Sequence, residues 1–383
     1  MSSARKRLRD HGIRIGYLPT GKSNSISDVA GLTVGHCSVI HGEQLDSLGT
    51  DQTGSISVAR TGVTIIVPHQ GDLWNERPSA GFFMLNGSGV VFGSDWINEA
   101  GALEGPIALT NSHSVGDVAS ALIRVMVEQH PQVGGVEDSY LPVVAECDDS
   151  PLNDINAFHV KDEHVRQALH GASHIVSEGA VGAGTGMTCY GFKGGIGTAS
   201  RVVTVNGTDY VLGVLVNTNH GQLHQLIVNG IPVGRVLAHE QKIAKNKEGS
   251  IVIVLATDAP MNQRQLERLA RRACLGLAKT GAIAAHGSGD FAIAISVGRK
   301  VPRYSSEAEI SLPEMHHDSL ALFFEASVEA TEEAILNSIF LADTVIGRGG
   351  HMAPALPVEH CIDIMKSFKP VDSADQLTTN PHN

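Results

Sequence analysis

The chain has 383 residues, with 28 Lys and Arg against 40 Asp and Glu and a formal net charge of −12. That balance excludes nucleic acid as the main partner, because phosphate binding needs clustered cations. Hydrophobic residues at 42% and charged residues at 18% exclude a disordered chain. The 42 glycines exceed the usual share of about 7% and point to many tight turns and close backbone approaches.

In chain order, Arg5, Lys6, Arg7 and Arg9 form a short basic cluster. No apolar run follows it, so it does not read as a secretion signal. No window reaches the roughly 18 apolar residues of a membrane span. The first dozen residues and residues 371–383 read as loosely held. From Gly16 to Ser23 the chain reads GYLPTGKS, which fits the phosphate-loop pattern G-x-x-x-x-G-K-S. That mechanism needs a buried strand before the loop and a helix after it. Residues 24–31 offer no helical face, so a chance match in a Gly-rich chain is the better account.

Residues 63–68 and 142–146 are β-branched runs that predict strands. Residues 201–216 predict a hairpin turning at Asn206-Gly207. Helices are expected over 118–129, 163–169 and 327–341. Over 262–279, Leu266, Leu269, Ala270, Ala273 and Leu277 share one helical face, with Asp258 and Pro260 marking the start and Gly281 the end. Apolar faces of both periods mean sheets covered by helices.

The five cysteines, at 37, 147, 189, 274 and 361, are odd in number and lack CxxC, which reads as reduced thiols in a cytoplasmic protein. The pairs His220/His224 and His170/His174 have helical spacing, but no carboxylate or Cys lies at ligand spacing. Core or solvated histidines are the better reading, and no metal is expected. The Gly-rich stretches 182–186 and 194–197 do not give the dinucleotide pattern. Close packing near a site and plain turns both remain open for them.

One serine stands apart. Residues 246–258 read NKEGSIVIVLATD, so a polar segment ends in Gly249 and Ser250 opens a continuous apolar strand. A Ser hydroxyl can attack the carbonyl that precedes it, and Gly on the acyl side offers no Cβ obstruction. Cleavage there would leave Ser250 as a new N-terminus, whose α-amine, with a pKa of about 8, could act as base for its own hydroxyl. An ordinary loop-to-strand junction has the same local sequence.

Seven segments occur in a fixed order: 24–36 (NSISDVAGLTVGH), 86–93 (NGSGVVFG), 143–154 (VVAECDDSPLND), 178–201 (EGAVGAGTGMTCYGFKGGIGTASR), 214–221 (VLVNTNHG), Gly249-Ser250, and 286–291 (HGSGDF). Together they resemble the self-processing L-aminopeptidase/D-esterase-amidase family, which includes the β-aminopeptidases. The resemblance runs from about Gly16 to Pro357. It implies an α+β fold, a four-layer αββα sandwich like the N-terminal nucleophile hydrolases but with different connectivity. It implies one domain over 1–383, self-cleaved into an α-chain of 1–249 and a β-chain of 250–383 that stay associated and assemble further, often as a tetramer of heterodimers. It also implies removal of N-terminal residues (L-α, D or β) from short peptides, amides and esters, with no cofactor.

By that resemblance Ser250 matches the nucleophile and Asn219 the oxyanion-hole asparagine. Ser288 and Asp290 match the pair beside the nucleophile's amine, where some members carry Glu in place of Asp. Glu146 matches the acid that binds the substrate's ammonium. Asp148 stands where some relatives have Tyr, and with Asp149 it suggests a preference for a cationic substrate side chain. The alternatives are acyl transfer of the ornithine acetyltransferase type or amide-oligomer hydrolysis, though such enzymes use Thr as nucleophile. A non-catalytic nucleotide-binding protein resting on Gly16 to Ser23 is a further alternative.

Overall fold

The computed structural model describes residues 5–42, 57–240 and 249–368. In chain order its main strands are β1 (Thr33–His41), β2 (Ala59–Val67), β3 (Glu76–Gly87), β4 (Val91–Phe92), β5 (Ile107–Asn111) and β6 (Val143–Cys147). A short ribbon follows, β7 (Thr188–Cys189) with β8 (Phe192–Lys193), and then β9 (Gly195–Val205), β10 (Thr208–Thr218), β11 (Ile251–Thr257) and β12 (Gly289–Pro302). The helices are α1 (Ser94–Ala100), α2 (Val115–Gln129), α3 (Asp162–His170), α4 (Val233–Glu240), α5 (Gln263–Lys279), α6 (Leu320–Leu341) and α7 (Val358–Ser367).

Two five-stranded sheets, ordered β1-β2-β5-β6-β4 and β3-β12-β11-β10-β9, pack against each other. Each is antiparallel except for one central parallel pair, β5 with β6 and β11 with β12. Three apolar clusters fill the three interfaces of a four-layer αββα stack. Val63, Ile65 and Val144 meet Val118, Leu122 and Val165 of α2 and α3. Ile66, Leu109 and Ala145 meet Val252, Val254 and Ile293 between the sheets. Ile251, Ile253 and Leu255 meet Leu266, Leu269 and Ile335 of α5 and α6. β11 is buried on both faces, which explains its unbroken apolar run.

The hairpin forms as expected, with Asn206 and Gly207 at φ 49° and 81°, the left-handed pair that a two-residue turn requires. α5 begins later than Asp258 and Pro260 suggest. Asn262 caps it, accepting from the Gln265 amide at 3.0 Å while Gln265 Oε1 accepts from the Asn262 amide at 3.2 Å. α6 begins seven residues before the expected Ser327; the exposed face of its first two turns is largely apolar, Ala321 and Leu322 with Glu325, so no polar stripe marks them.

Residues 1–4 lie outside the described residues, and those that follow are tied down rather than loose. Arg5 donates to the Phe340 and Leu356 carbonyls at 2.8 Å each, and Arg7 and Arg9 pair with Glu178 and Glu333 at 2.6 Å. Residues 371–383 lie outside the described residues. The phosphate-loop lookalike is already occupied: the Tyr17 and Leu18 amides donate to the Glu329 carboxylate at 2.7 and 3.2 Å. Gly16 sits at φ +70°, and a Cβ there would fall 1.8 Å from Glu329 Cδ. A three-residue 3-10 turn, not a helix, comes next, at Ile26–Asp28. The amides that a phosphate would need serve an internal carboxylate.

Candidate active site

Strand register gathers the candidate residues at one end of the second sheet. Ile251 of β11 stands opposite Thr218 of β10 on one side and Asp290 of β12 on the other, and Asp290 stands opposite Asn86 of β3. Ser250 therefore lies beside Asn219 and beside the Ser288–Asp290 turn. The polar segment 241–248 that precedes it lies outside the described residues. Gly249 is required by space: a Cβ there would stand 1.9 Å from the Asn219 carbonyl oxygen.

Ser250 is buried. Its Oγ accepts from the Gly289 amide at 3.0 Å, and its carbonyl accepts from the Asn219 amide at 2.9 Å. Side chains two apart on a strand share a face. Ser250 thus shares the inter-sheet face with Val252 and Val254, whereas Asp290 shares the helix-side face with Ala292 and Ala294.

Ser288 Oγ lies 2.7 Å from Asp290 Oδ2, and the Ile251 amide also donates to the Asp290 carboxylate. Burial dominates these donors and pushes the Asp290 pKa up from 3.8 to about 6. Asn86 Nδ2 braces the turn, donating to the Ala285 and Ser288 carbonyls at 2.6 and 2.8 Å. A cavity lined by His220, Gly249, Ala285, Ser288 and Asp290 opens beside them.

The Asn219 side chain is held at both ends. Its Oδ1 accepts from the Thr188 amide at 2.9 Å, and its Nδ2 donates to the Asp148 carbonyl at 2.8 Å. Nδ2 has two hydrogens, so one donor remains. That nitrogen faces Gly249, whose Cβ position would lie 3.3 Å away.

Glu146 reaches the same region from the other sheet. Ser112 Oγ donates to its Oε2, and the Val90 amide donates to its Oε1 at 2.9 Å. Burial raises its pKa; the two donors lower it and the charge of Asp148 raises it further. The strip Ser88-Gly89 lies between Glu146 and the Ser250–Gly289 pair. A Cβ on Gly89 would stand 2.7 Å from Glu146 Oε1, and one on Gly289 2.7 Å from the Ser88 carbonyl.

Asp148 is half-buried, and its Oδ1 accepts from the Ser150 amide at 2.8 Å. Asp149 is a correction to the expected acidic pair. It is fully buried, accepts from Asn153 Nδ2 at 3.0 Å, and is pushed by burial to a pKa of about 7, so its carboxyl is not offered to a substrate. His220 is a core histidine packed edge-on against Tyr190 at 5.1 Å, with its pKa pushed down to about 3 by burial. Among the described residues, no cluster of His, Cys, Asp and Glu could hold a metal ion.

The sequence reading missed Gly289, Ser112, Val90 and Thr188. Three of these act through main-chain amides, which no side-chain pattern reveals. Ser112 had a faint signal, because it follows Asn111, whose side chain caps the next turn by accepting from the His113 and Ser114 amides.

Comparison with known proteins agrees with this geometry. Residues 24–353 match the model of peptidase family S58. The β-peptidyl aminopeptidase BapA of Sphingosinicella microcystinivorans is 41% identical over 96% of this chain and 94% of its own. That of Sphingosinicella xenopeptidilytica is 38% identical over 96% and 93%. Among solved structures, a Burkholderia sp. β-aminopeptidase superposes with a TM-score of 0.87 at 38% identity, covering 95% of this chain and 100% of its own. The L-aminopeptidase D-Ala-esterase/amidase of Ochrobactrum anthropi, described as a prototype serine aminopeptidase and a new variant of the Ntn hydrolase fold, gives 0.85 at 36% identity over 94% and 98%. On this ground the chain belongs to peptidase family S58 and is a serine aminopeptidase with the N-terminal-nucleophile type of fold.

Proposed function

We propose that the chain cleaves itself between Gly249 and Ser250 and then uses Ser250 to release N-terminal residues from short peptides, amides and esters. The observation that carries this reading is the setting of Ser250: a buried hydroxyl at the start of β11, preceded by a position only Gly can fill, with Asn219 on one side and Asp290 on the other.

In self-cleavage, Ser250 Oγ attacks the Gly249 carbonyl carbon. The free Nδ2 hydrogen of Asn219 stabilises the oxyanion, a contribution worth about a hundredfold or more in rate. The Gly249–Ser250 C–N bond breaks, its nitrogen takes up a proton as the Ser250 α-amine, and water hydrolyses the ester left on Oγ. The new amine lies on the side of Ser288 and Asp290, which hold it and tune its proton affinity. In turnover that amine takes the Oγ proton, Oγ attacks the substrate carbonyl, and the amine protonates the leaving group. Water then releases the acyl-enzyme. Glu146, among the described residues not paired with Lys or Arg, binds the substrate ammonium, which confines attack to the first residue.

Intact mass under denaturing conditions tests the reading. The wild type gives two chains joining at Gly249/Ser250 and Ser250→Ala gives one; a single uncut chain in both overturns it.

Three finer parts belong to the same proposal. Asp148 favours substrates with a cationic side chain, which a comparison of Lys, Ala and Asp amides checks; equal rates sink it. The cleaved chains self-associate, as heterodimers that assemble further; the exposed apolar side chains Met84, Leu85, Val90 and Phe92 around the β3–β4 turn support this. The five free, buried thiols support a reducing, cytoplasmic setting, and among the described residues no helix is long and apolar enough to cross a membrane.

A further inference from the structure

Lys193 places its amine in the interior at β8, where it is fully buried and burial lowers its pKa to about 7. Its ammonium has three donors, and all three go to main-chain carbonyls: Gly184 at 2.8 Å, Met187 at 2.6 Å and Gly194 at 2.8 Å. Burying a charge is unfavourable by several kcal/mol, and apolar residues of similar volume often serve stability as well. A lysine there therefore points to a task that an apolar side chain could not perform.

Gly184 and Gly194 belong to the two Gly-rich stretches whose role composition left open, and Met187 directly follows the first. They tie residues 184–187 to the start of β9. From this tied loop the Thr188 amide donates to Asn219 Oδ1. The loop also presses on the segment that holds the other end of the same amide. A Cβ on Gly186 would meet Asp149 Cβ at 2.8 Å, and the preceding residue, Asp148, supplies the carbonyl that accepts from Asn219 Nδ2. Both anchors of the Asn219 side chain thus trace back to backbone that Lys193 gathers.

We propose that Lys193 is a positioning residue for Asn219, converting a glycine loop into a rigid support for the remaining oxyanion donor. The proposal rests on the role given above to Asn219. It needs no contact between Lys193 and substrate, so it acts on the transition state rather than on binding. A displacement of about 1 Å at such a donor lowers the rate by roughly a hundredfold.

The test is a double-mutant cycle on the full chain, with Lys193→Met, Asn219→Ala and the double variant. It reads self-cleavage rate, and kcat and KM on an alanine p-nitroanilide. Lys193→Met is expected to lower kcat and self-cleavage roughly ten- to a hundredfold with KM within about twofold. In the Asn219→Ala background it is expected to change the rates by less than about twofold, because the donor it positions is gone. Full additivity, or an unchanged kcat in folded Lys193→Met, overturns the proposal. If Asn219→Ala keeps wild-type rates, the reading of Asn219 fails, and this proposal with it; if Asn219→Ala is slow while Lys193→Met is not, only this proposal fails. Lys193→Gln, which keeps two N–H donors, replaces Lys193→Met in the cycle should the latter not fold.

Discussion

Two regions of the molecule bury carboxylates, and they solve the electrostatic problem in opposite ways. Where the N-terminal arm meets α6, Arg201 bonds Glu329 and Glu333 at 2.8 Å each, and Arg9 and Asn24 add to Glu333 at 2.6 Å. Burial alone would raise the Glu333 carboxyl, but these partners outweigh it and its pKa is lowered. At the Ser250 end, Glu146 and Asp290 meet only hydroxyls and amides, and burial wins in both. The first arrangement is complete and fixes an arm in place. The second lacks a cation that the described residues do not supply. Incomplete compensation beside the buried Ser250 fits the proposed function, in which a cation arrives later, an amine of the chain itself or of a substrate.

The comparison breaks most visibly through Arg201. Arg201→Ala leaves two buried carboxylates without their shared cation, and removing one partner of a buried pair destabilises by about 3–5 kcal/mol. We expect a folding equilibrium shifted by roughly a thousandfold, read by denaturant titration, with unchanged kcat per folded molecule. A loss of kcat in the folded protein would mean that the structural network reaches the chemistry.

Glu146→Gln sharpens the other half. It keeps an acceptor for the Val90 amide and can donate to the Ser112 hydroxyl, but removes the charge that an ammonium needs. We expect kcat/KM for a free-amine substrate to fall about a hundredfold, within the usual 2–5 kcal/mol for a buried charge pair losing one member. The slow turnover of the N-acetylated analogue should stay unchanged. Equal losses on both substrates would assign Glu146 to packing.

Much of the fold was legible because the pattern and the environment agree. β11 reads as a buried strand since both its faces are covered, and Asn206-Gly207 reads as a turn since the backbone there demands positive φ. The start of α6 was not legible, because the exposed face of its first two turns is largely apolar and gives no polar stripe to mark it. Within the site, Ser250, Asn219, Ser288, Asp290 and Glu146 could be named from their ordered segments, and the sheet register brings the first four together. The supporting contacts were hidden because they are main-chain amides, at Gly289, Thr188 and Val90. GYLPTGKS is the chance match that its missing helix suggests: two of its amides do bind an anion, but the anion is Glu329, which lies more than 300 residues away in sequence.

Acid should separate the two regions, because Glu333 shifts in the opposite direction from Glu146 and Asp290. Under the proposed function Glu146 must be ionised to hold an ammonium, so activity is lost as pH falls through its raised value; Asp290 stands at about 6 in the uncut chain, and the Ser250 amine released by cleavage would lower it. The slope should reach about tenfold per pH unit where one carboxyl controls the rate. Stability runs the other way for these groups. With a folded pKa above the unfolded one, their contribution is complete below the ordinary carboxylate range and is lost as pH rises through the folded value. Glu333 has the opposite sign: its contribution is present above its ordinary value of 4.5 and is lost only as pH falls through its lowered folded value. As pH falls through the raised Glu146 value, above its ordinary 4.5, the protein should therefore lose activity while staying folded, and recover fully on return to neutral pH. Rates and circular dichroism on the same samples check this. Loss of activity in step with loss of structure would show that the carboxyls at the Ser250 end are as fully compensated as those around Arg201, and the contrast between the two regions would collapse.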